Sequence, residues 1–281
     1  MKLSIITINY NNAEGLRKTL ASVAMQTYRD IEHIIIDGGS TDGSVELIKD
    51  YVRQIDDGCT KVVWVSEKDN GIYHAMNKGI SKATGGYIQI LNSGDIFTAP
   101  DVTERMVNEV ERVSELTNEH VPILYGNMIK QWPDGRRLVD KCEAGHLSML
   151  SFYHGTLNHD SAYIRRDLFE RFGLYDENLK IVSDWKWFLQ VIPLGGITPV
   201  YVDMDVTIFD MTGVSESNTA FWKVERRPVL EALVPPMILA DYDKYGEDMR
   251  MMDRLRKHHL YELVRFIERV LFKFEKWHIL K

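Results

Sequence analysis

The sequence predicts a doubly wound α/β fold, a Rossmann-like, mostly parallel sheet covered by helices on both faces. Two features of the first hundred positions predict it. Short runs of β-branched and apolar residues alternate with helix-length segments whose apolar residues recur every three or four positions. The runs are also almost continuously apolar rather than alternating, as in parallel strands buried on both sides. A length of 281 residues allows one large domain, or one domain with an appendage.

Taken in order, Leu3–Ile8 reads as the first strand. Glu14–Met25, with Leu16, Leu20, Val23 and Ala24 on one side, reads as the first helix. Ile31–Ile36 is a second strand, followed from Asp42 by a helix bearing Val45, Leu47, Ile48 and Val52. Lys61–Val65 is a third, followed by a helix over Gly71–Ala83, and Tyr87–Leu91 is a fourth. Pro100 opens a helix over Asp101–Thr117, because its fixed φ and missing N–H suit the first turn. The period then becomes irregular. Short strands at Ile123–Asn127, Arg136–Val139, Ala162–Ile164 and Val200–Val202 are expected among short helices at Asp167–Phe172 and Asp184–Val191. From Ser217 the chain reads as helical, broken at Pro228 and at Pro235-Pro236. The expected division is a sheet-based domain over 1–215 and a helical extension over 216–281.

Composition excludes several classes. Net charge is −7, from 34 Lys and Arg against 41 Asp and Glu, which argues against a nucleic-acid partner. Cys59 and Cys142 have no metal-ligand spacing and read as free thiols of a reducing compartment. No apolar run approaches the roughly 20 residues of a membrane-spanning helix, and MKLSIITINYNN reads as a strand rather than a leader. A cytoplasmic location is expected. The last segment differs from the rest: Arg250–Lys281 holds nine Lys or Arg against four Asp or Glu. On a helical wheel Leu260, Leu263, Val264, Ile267, Val270, Leu271, Phe274 and Trp277 share one face, with Arg265, Arg269, Lys273 and Lys276 opposite. Such a helix either lies on an anionic membrane surface or packs on its own domain or a second subunit.

In an open parallel sheet, ligands bind beyond the carboxyl ends of the strands. There the sequence places Thr7, Asn9, Tyr10 and Asn11, then DGGSTDG (Asp37–Gly43), EKDNG (Glu67–Gly71) and NSGD (Asn92–Asp95). Glycines and capping residues explain the turns, but not an anion at the end of a buried strand. Asp37 is therefore a candidate ligand-binding residue. Asp95 is either a turn residue or a ligand to Mg²⁺ or Mn²⁺, ions that prefer oxygen donors and phosphate partners. Neither GxxxxGK[ST] nor GxGxxG follows a strand, which disfavours P-loop kinases and classical dinucleotide-binding domains.

SIITINYNNAEGLRKTLASVAMQTYRDIEHIIIDGGSTDGS, SEKDNGIYHAMNKGISKATGGYIQILNSGD and NHDSAYIRRDLFERFGLYDENLKIVSDWKWFL together resemble the inverting family 2 glycosyltransferases of the GT-A fold. The similarity is greatest to the branch that assembles bacterial surface polysaccharides. The resemblance implies a nucleoside-diphosphate-sugar donor, UDP-linked, with Mn²⁺ or Mg²⁺ as cofactor. It implies a saccharide or lipid-linked saccharide acceptor at the inner face of the cytoplasmic membrane. Carried onto this chain, it puts Thr7 and Tyr10 in the base pocket, with Asn9 beside them, and Asp37 at the uracil or ribose end. It makes Asp95 the metal ligand, with Asn92 and Ser93 next to the donor, His159 an acceptor-side histidine, and Asp184 the base that deprotonates the acceptor hydroxyl. The chain departs from the family pattern at Gly38 and Gly94, where relatives often have Asp. Asp69, with Glu67 behind it, is the candidate to replace the missing base contact, and Asp95 is left as the single carboxylate for the metal. Lys78 faces either the phosphates or solvent. Two other readings stand beside this one. A nucleotidyltransferase would need a glycine- and arginine-bearing loop that NYNNAEG lacks. A non-catalytic nucleotide-sugar-binding or membrane-assembly scaffold is favoured by Gly38 and Gly94 and opposed by Asp37, Asp95 and Asp184 together.

Overall fold

A computed structural model describes residues 1–55, 60–212, 219–256 and 261–279; Cys59 and Leu260 lie outside them. The chain divides by its internal contacts into Met1–Val229 and Leu230–Lys281.

The first unit begins with strictly alternating elements: β1 (Leu3–Asn9), α1 (Ala13–Ala24), β2 (Ile31–Asp37), α2 (Ser44–Ile55), β3 (Lys61–Ser66), α3 (Ile72–Lys82) and β4 (Tyr87–Ile90). All residues of β1, β2 and β4 are buried, which is why these strands are apolar on both faces. β5 (Ile96–Phe97), α4 (Val102–Thr117), β6 (Ile123–Gln131), β7 (Arg137–Asp140), α5 (Met149–His154), β8 (Ala162–Arg165), α6 (Asp167–Phe172), α7 (Ser183–Val191) and β9 (Val200–Asp210) follow. The sheet order is β3-β2-β1-β4-β8-β6-β9-β5, with β7 paired to β6. Pairs β3-β2, β2-β1, β1-β4 and β6-β9 are parallel, whereas β8, β5 and β7 run antiparallel to their neighbours.

One face of the sheet packs Leu3 and Ile5 of β1 with Val102, Met106 and Val110 of α4, and with Leu124, Tyr163 and Val206 from the later strands. Leu16, Leu20, Ile35, Ile48 and Tyr51 join α1 and α2 to β2. Burying each such side chain stabilises the fold by about 1.5–3 kcal/mol. α3 lies against β1 so closely that a Cβ on Gly79 would come within 2.4 Å of Ile6 Cγ2. His33 is wholly buried, with Tyr51 Oη 2.7 Å from Nδ1 and Thr7 Oγ1 2.9 Å from Nε2. Burial pulls its pKa down to about 3, so the ring is neutral.

Three expectations change. β9 continues from Val200 to Asp210 instead of stopping at Val202, and Asp203 and Asp205 are accommodated on a solvated face while Met204 and Val206 face inward. β5 was not expected. α8 (Thr219–Leu233) runs through Pro228, which removes one backbone hydrogen bond without ending the helix. Pro235 and Pro236 do separate α8 from α9 (Pro236–Arg256), which is followed by α10 (Tyr261–Ile279). In α10, Leu263, Phe266, Ile267, Leu271 and Phe272 are exposed. The side chains of Lys273, Phe274, Lys276 and Trp277 lie outside the described set.

Candidate active site

Parallel pairing brings the carboxyl ends of β1, β2, β3 and β4 to one rim. There the β2–α2 loop is organised by Asp37. Its carboxylate accepts from Ser40 Oγ (2.6 Å), Ser66 Oγ (2.6 Å), Asn9 Nδ2 (2.8 Å) and the amides of Ser40 (2.9 Å) and Gly39 (3.2 Å). Burial alone would raise its pKa, but these hydrogen bonds outweigh it and hold the group ionised. Asp37 is thus engaged by its own loop and by the last residues of β1 and β3. Thr7 also faces inward, toward His33, and Asn9 toward Asp37. Asn11, in the left-handed region at φ 48°, accepts the Thr41 amide through Oδ1 at 2.9 Å and so ties the loop after β1 to the loop after β2.

Beside this loop Tyr10 and Asp69 close in on Gly38. Tyr10 is 68% exposed. A Cβ built on Gly38 would stand 3.0 Å from the Tyr10 ring and 3.3 Å from Asp69 Oδ2. Asp69 therefore lies where a longer side chain at 38 would reach. Its Oδ1 accepts from Lys78 Nζ at 2.5 Å and lies 3.3 Å from His74 Nδ1, while Lys78 also pairs with Glu67 at 2.8 Å. Lys78 faces carboxylates, not open solvent.

A second network lies around α7. Asp184, in its first turn, accepts Tyr73 Oη on Oδ1 at 2.8 Å and meets His159 Nδ1 with Oδ2 at 3.3 Å. The two pKa values move in opposite senses. Burial would raise that of Asp184, but His159 and then Tyr73 hold it below the usual range. Burial would lower that of His159, but Asp184 outweighs it and lifts it to about 9. At neutral pH the pair is an ion pair. His159 Nε2 lies 3.3 Å from the Asn92 side-chain amide. Asp95 follows three residues later, buried, with Oδ1 accepting the Asp210 amide at 3.0 Å. Thr19 Oγ1 donates to the Asp95 carbonyl at 2.8 Å. Asn12 Nδ2 donates to the Ser93 carbonyl at 3.0 Å. Burial, and next the charge of Asp160, raise the Asp95 pKa well above the carboxylate range, against the Asp210 amide hydrogen bond and the His159 charge.

Buried carboxylates short of positive charge are what a hard cation relieves. Among the described residues no three His, Cys, Asp or Glu side chains are close enough to hold a metal by themselves. Asp95 offers one carboxylate, so an ion held there would need further oxygen donors from outside the His, Cys, Asp and Glu side chains described. Gly94 has φ +112°, a backbone in which an Asp would be strained, so the reduced motif is built into this turn.

The structure thus gathers Asn92, Asp95, His159 and Asp184 into one network and Tyr10, Gly38, Glu67, Asp69 and Lys78 into another. α3 touches both, through Tyr73 on one side and His74 and Lys78 on the other. Tyr73, Asp160 and Asp210 were not singled out from the sequence. Asp160 sits inside the NHDS motif next to His159. Asp210 ends a strand, and following β9 to its true end reveals it. Nothing in the sequence marks Tyr73.

Comparison with known proteins follows the same lines. The sequence model described as Glycosyl transferase family 2 matches residues 4–171. A glycosyltransferase of Mycobacterium tuberculosis (strain CDC 1551 / Oshkosh), itself uncharacterized, is 31% identical over 245 residues, 83% of this chain and 85% of that one. S. aureus TarS, solved with UDP-GlcNAc, superposes with TM-score 0.63 at 18% identity, covering 84% of this chain and 68% of that one. With UDP the coverage is 75% and 60%. A mannosyltransferase from Pyrobaculum calidifontis, solved with GDP-Man and Mn²⁺, gives TM-score 0.59 at 18% identity over 80% of this chain and 60% of that one. These structures share the GT-A fold with this chain, which spans roughly two thirds or less of their length.

Proposed function

The chain belongs to glycosyl transferase family 2, and from that premise we propose that it moves a sugar from a UDP-linked donor to a hydroxyl of a saccharide or lipid-linked saccharide, with inversion, in surface-polysaccharide assembly. The observation that supports this best is the ionised, doubly anchored Asp184, in one network with Asn92 and Asp95. Tyr73 and His159 fix the Asp184 carboxylate in direction and keep it unprotonated, the state required of a base that takes the acceptor's proton. Tyr10 supplies an exposed ring for the base to stack on. Asp69 Oδ2, beside Gly38, supplies an acceptor for a base N–H. Asp95 would hold Mg²⁺ or Mn²⁺, which when bound supplies positive charge against the diphosphate. Asp37, closed within its loop, sets the shape of the donor end rather than touching the ligand. Attack on the anomeric carbon from the face opposite the leaving group is a single displacement and inverts its configuration.

The domains in this reading are the 1–215 catalytic region and the 216–281 extension. The extension would rest on an anionic membrane at the inner face of the cytoplasmic membrane. Among the described residues no helix is long and apolar enough to cross one. The site is tested with Asp184→Asn. Calorimetry with UDP-GlcNAc is expected to show unchanged affinity while turnover falls by roughly 10²–10⁴. Equal loss of binding and turnover would overturn the role of base.

A further inference from the structure

One buried cation, Arg226 of α8, has no carboxylate bonded to it among the described residues. It is 4% exposed. Its guanidinium lies between two indoles, 4.0 Å from the ring centre of Trp185 and 3.9 Å from that of Trp222. Nη2 donates to the Phe152 carbonyl and, at 3.0 Å, to the Gly155 carbonyl, at the end of α5. Nε and Nη1 have no acceptor among the described residues. The Phe152 carbonyl also accepts Trp185 Nε1 at 2.8 Å. Trp185 directly follows Asp184 in the first turn of α7.

Packing does not account for an arginine here. A guanidinium buried with N–H groups left over is less stable than an apolar side chain of similar volume. Its hydrogen-bond partners among the described residues are neutral carbonyls, and no ion pair among them requires it. What arginine adds is a flat cation that stacks on aromatic faces while donating within its own plane. Here that geometry seats the Trp185 ring from its face, and the shared Phe152 carbonyl seats it from its edge. The backbone of Trp185 is continuous with that of Asp184. A fixed indole therefore fixes how the first turn of α7 presents its carboxylate. Burial draws the Arg226 pKa down to about 9, with Asp184 opposing, and the group stays charged at neutral pH.

We propose that Arg226 is the positioning residue of Asp184, clamping Trp185 against α5 so that the carboxylate keeps its direction toward the acceptor hydroxyl. The inference rests on Asp184 being the base. A displacement of about 1 Å at a reacting group costs on the order of 10² in rate, so the clamp is expected to show in kcat and not in donor affinity.

The test uses the full chain and reads UDP release from UDP-GlcNAc with water as acceptor, across the pH range. Arg226→Lys and Arg226→Met are each expected to lower kcat at least about tenfold, with KM for the donor within about twofold. Arg226→Met, which removes a cation near Asp184, moves the acid limb of the kcat profile upward; Arg226→Lys leaves the limb in place. Trp222→Leu lowers kcat in the same direction by less. A merely structural role would lower the unfolding temperature without moving the limb. The proposal is overturned if both arginine variants keep wild-type kcat, if the limb stays fixed in Arg226→Met, or if KM rises while kcat holds. Should the arginine variants fail to fold, unchanged kcat in Trp222→Leu overturns it. Full activity in Asp184→Asn would remove the base assignment itself. An inactive Asp184→Asn beside unaffected Arg226 variants would remove only the clamp.

Discussion

His159 stands among the carboxylates of Asp184, Asp160 and Asp95, and its charge is their nearest counterweight. A protonated ring donates from both nitrogens. Asn92 must then turn its Oδ1 toward Nε2, which also gives that otherwise unpartnered oxygen a donor. A pKa raised from 6.5 to about 9 means the folded state binds this proton more tightly than the unfolded one. The stabilisation is therefore complete below about pH 6.5 and is lost as pH rises through about 9. His159→Gln is expected to melt below the wild type at pH 6, with the gap closing toward pH 9 to 10 in differential scanning calorimetry. A gap independent of pH would show that His159 is not charged by its surroundings. Asp95 makes a second claim at this scale. If it holds the ion that the diphosphate also binds, UDP affinity rises with Mn²⁺ in the wild type and the rise disappears in Asp95→Asn. Calorimetry with and without Mn²⁺ reads this directly, and a rise of equal size in both proteins would move the ion elsewhere.

At the scale of elements, α3 links the two halves of the site, and its approach to β1 depends on Gly79. A methyl placed there meets Ile6 Cγ2 at 2.4 Å, so helix or strand must shift. Gly79→Ala is expected to destabilise by about 1–3 kcal/mol in urea unfolding, as overpacking does. Trimming the opposing side chain with Ile6→Ala in the same chain should recover part of the loss. A double variant no better than the sum of the two single ones would place the cost elsewhere. The strands β1, β2 and β4 were legible in the sequence because each is buried on both faces, β3 because its run is β-branched and apolar though only half-buried, and the chemistry was legible at their ends because parallel strands point one way. The later sheet was not. β9 carries Asp203 and Asp205 on alternate positions, which reads as a strand ending when it is a strand with one wet face. Asp210 was lost with it. Asp160 was legible only as a neighbour of His159. The Tyr73 contact with Asp184 and the Arg226 contact with the Phe152 carbonyl join segments more than seventy residues apart, and no local pattern encodes them.

At the scale of the whole molecule, charge is distributed unevenly. The chain is acidic overall at −7, yet its final segment is basic, and α10 exposes Leu263, Phe266, Ile267 and Leu271 on one side of a helix with Arg265 and Arg269 on the other. An enzyme whose acceptor is lipid-linked benefits from being held at the membrane, where attraction by anionic headgroups adds to burial of the apolar stripe. The two contributions are separable. Attraction is screened by salt, with a Debye length of about 8 Å at 0.15 M, whereas apolar burial is not. The protein is expected to co-sediment with vesicles containing phosphatidylglycerol and to be partly released as salt is raised. Leu263→Glu with Ile267→Glu, both on the exposed face of α10, should weaken binding by at least about tenfold, or roughly 1.4 kcal/mol, while leaving UDP release from UDP-GlcNAc intact. If the double variant still co-sediments as the wild type does, the apolar face of α10 is not the membrane contact. If the wild type ignores anionic vesicles at low salt, the face belongs to a protein neighbour, and sedimentation equilibrium should then show the same two substitutions separating a dimer into monomers.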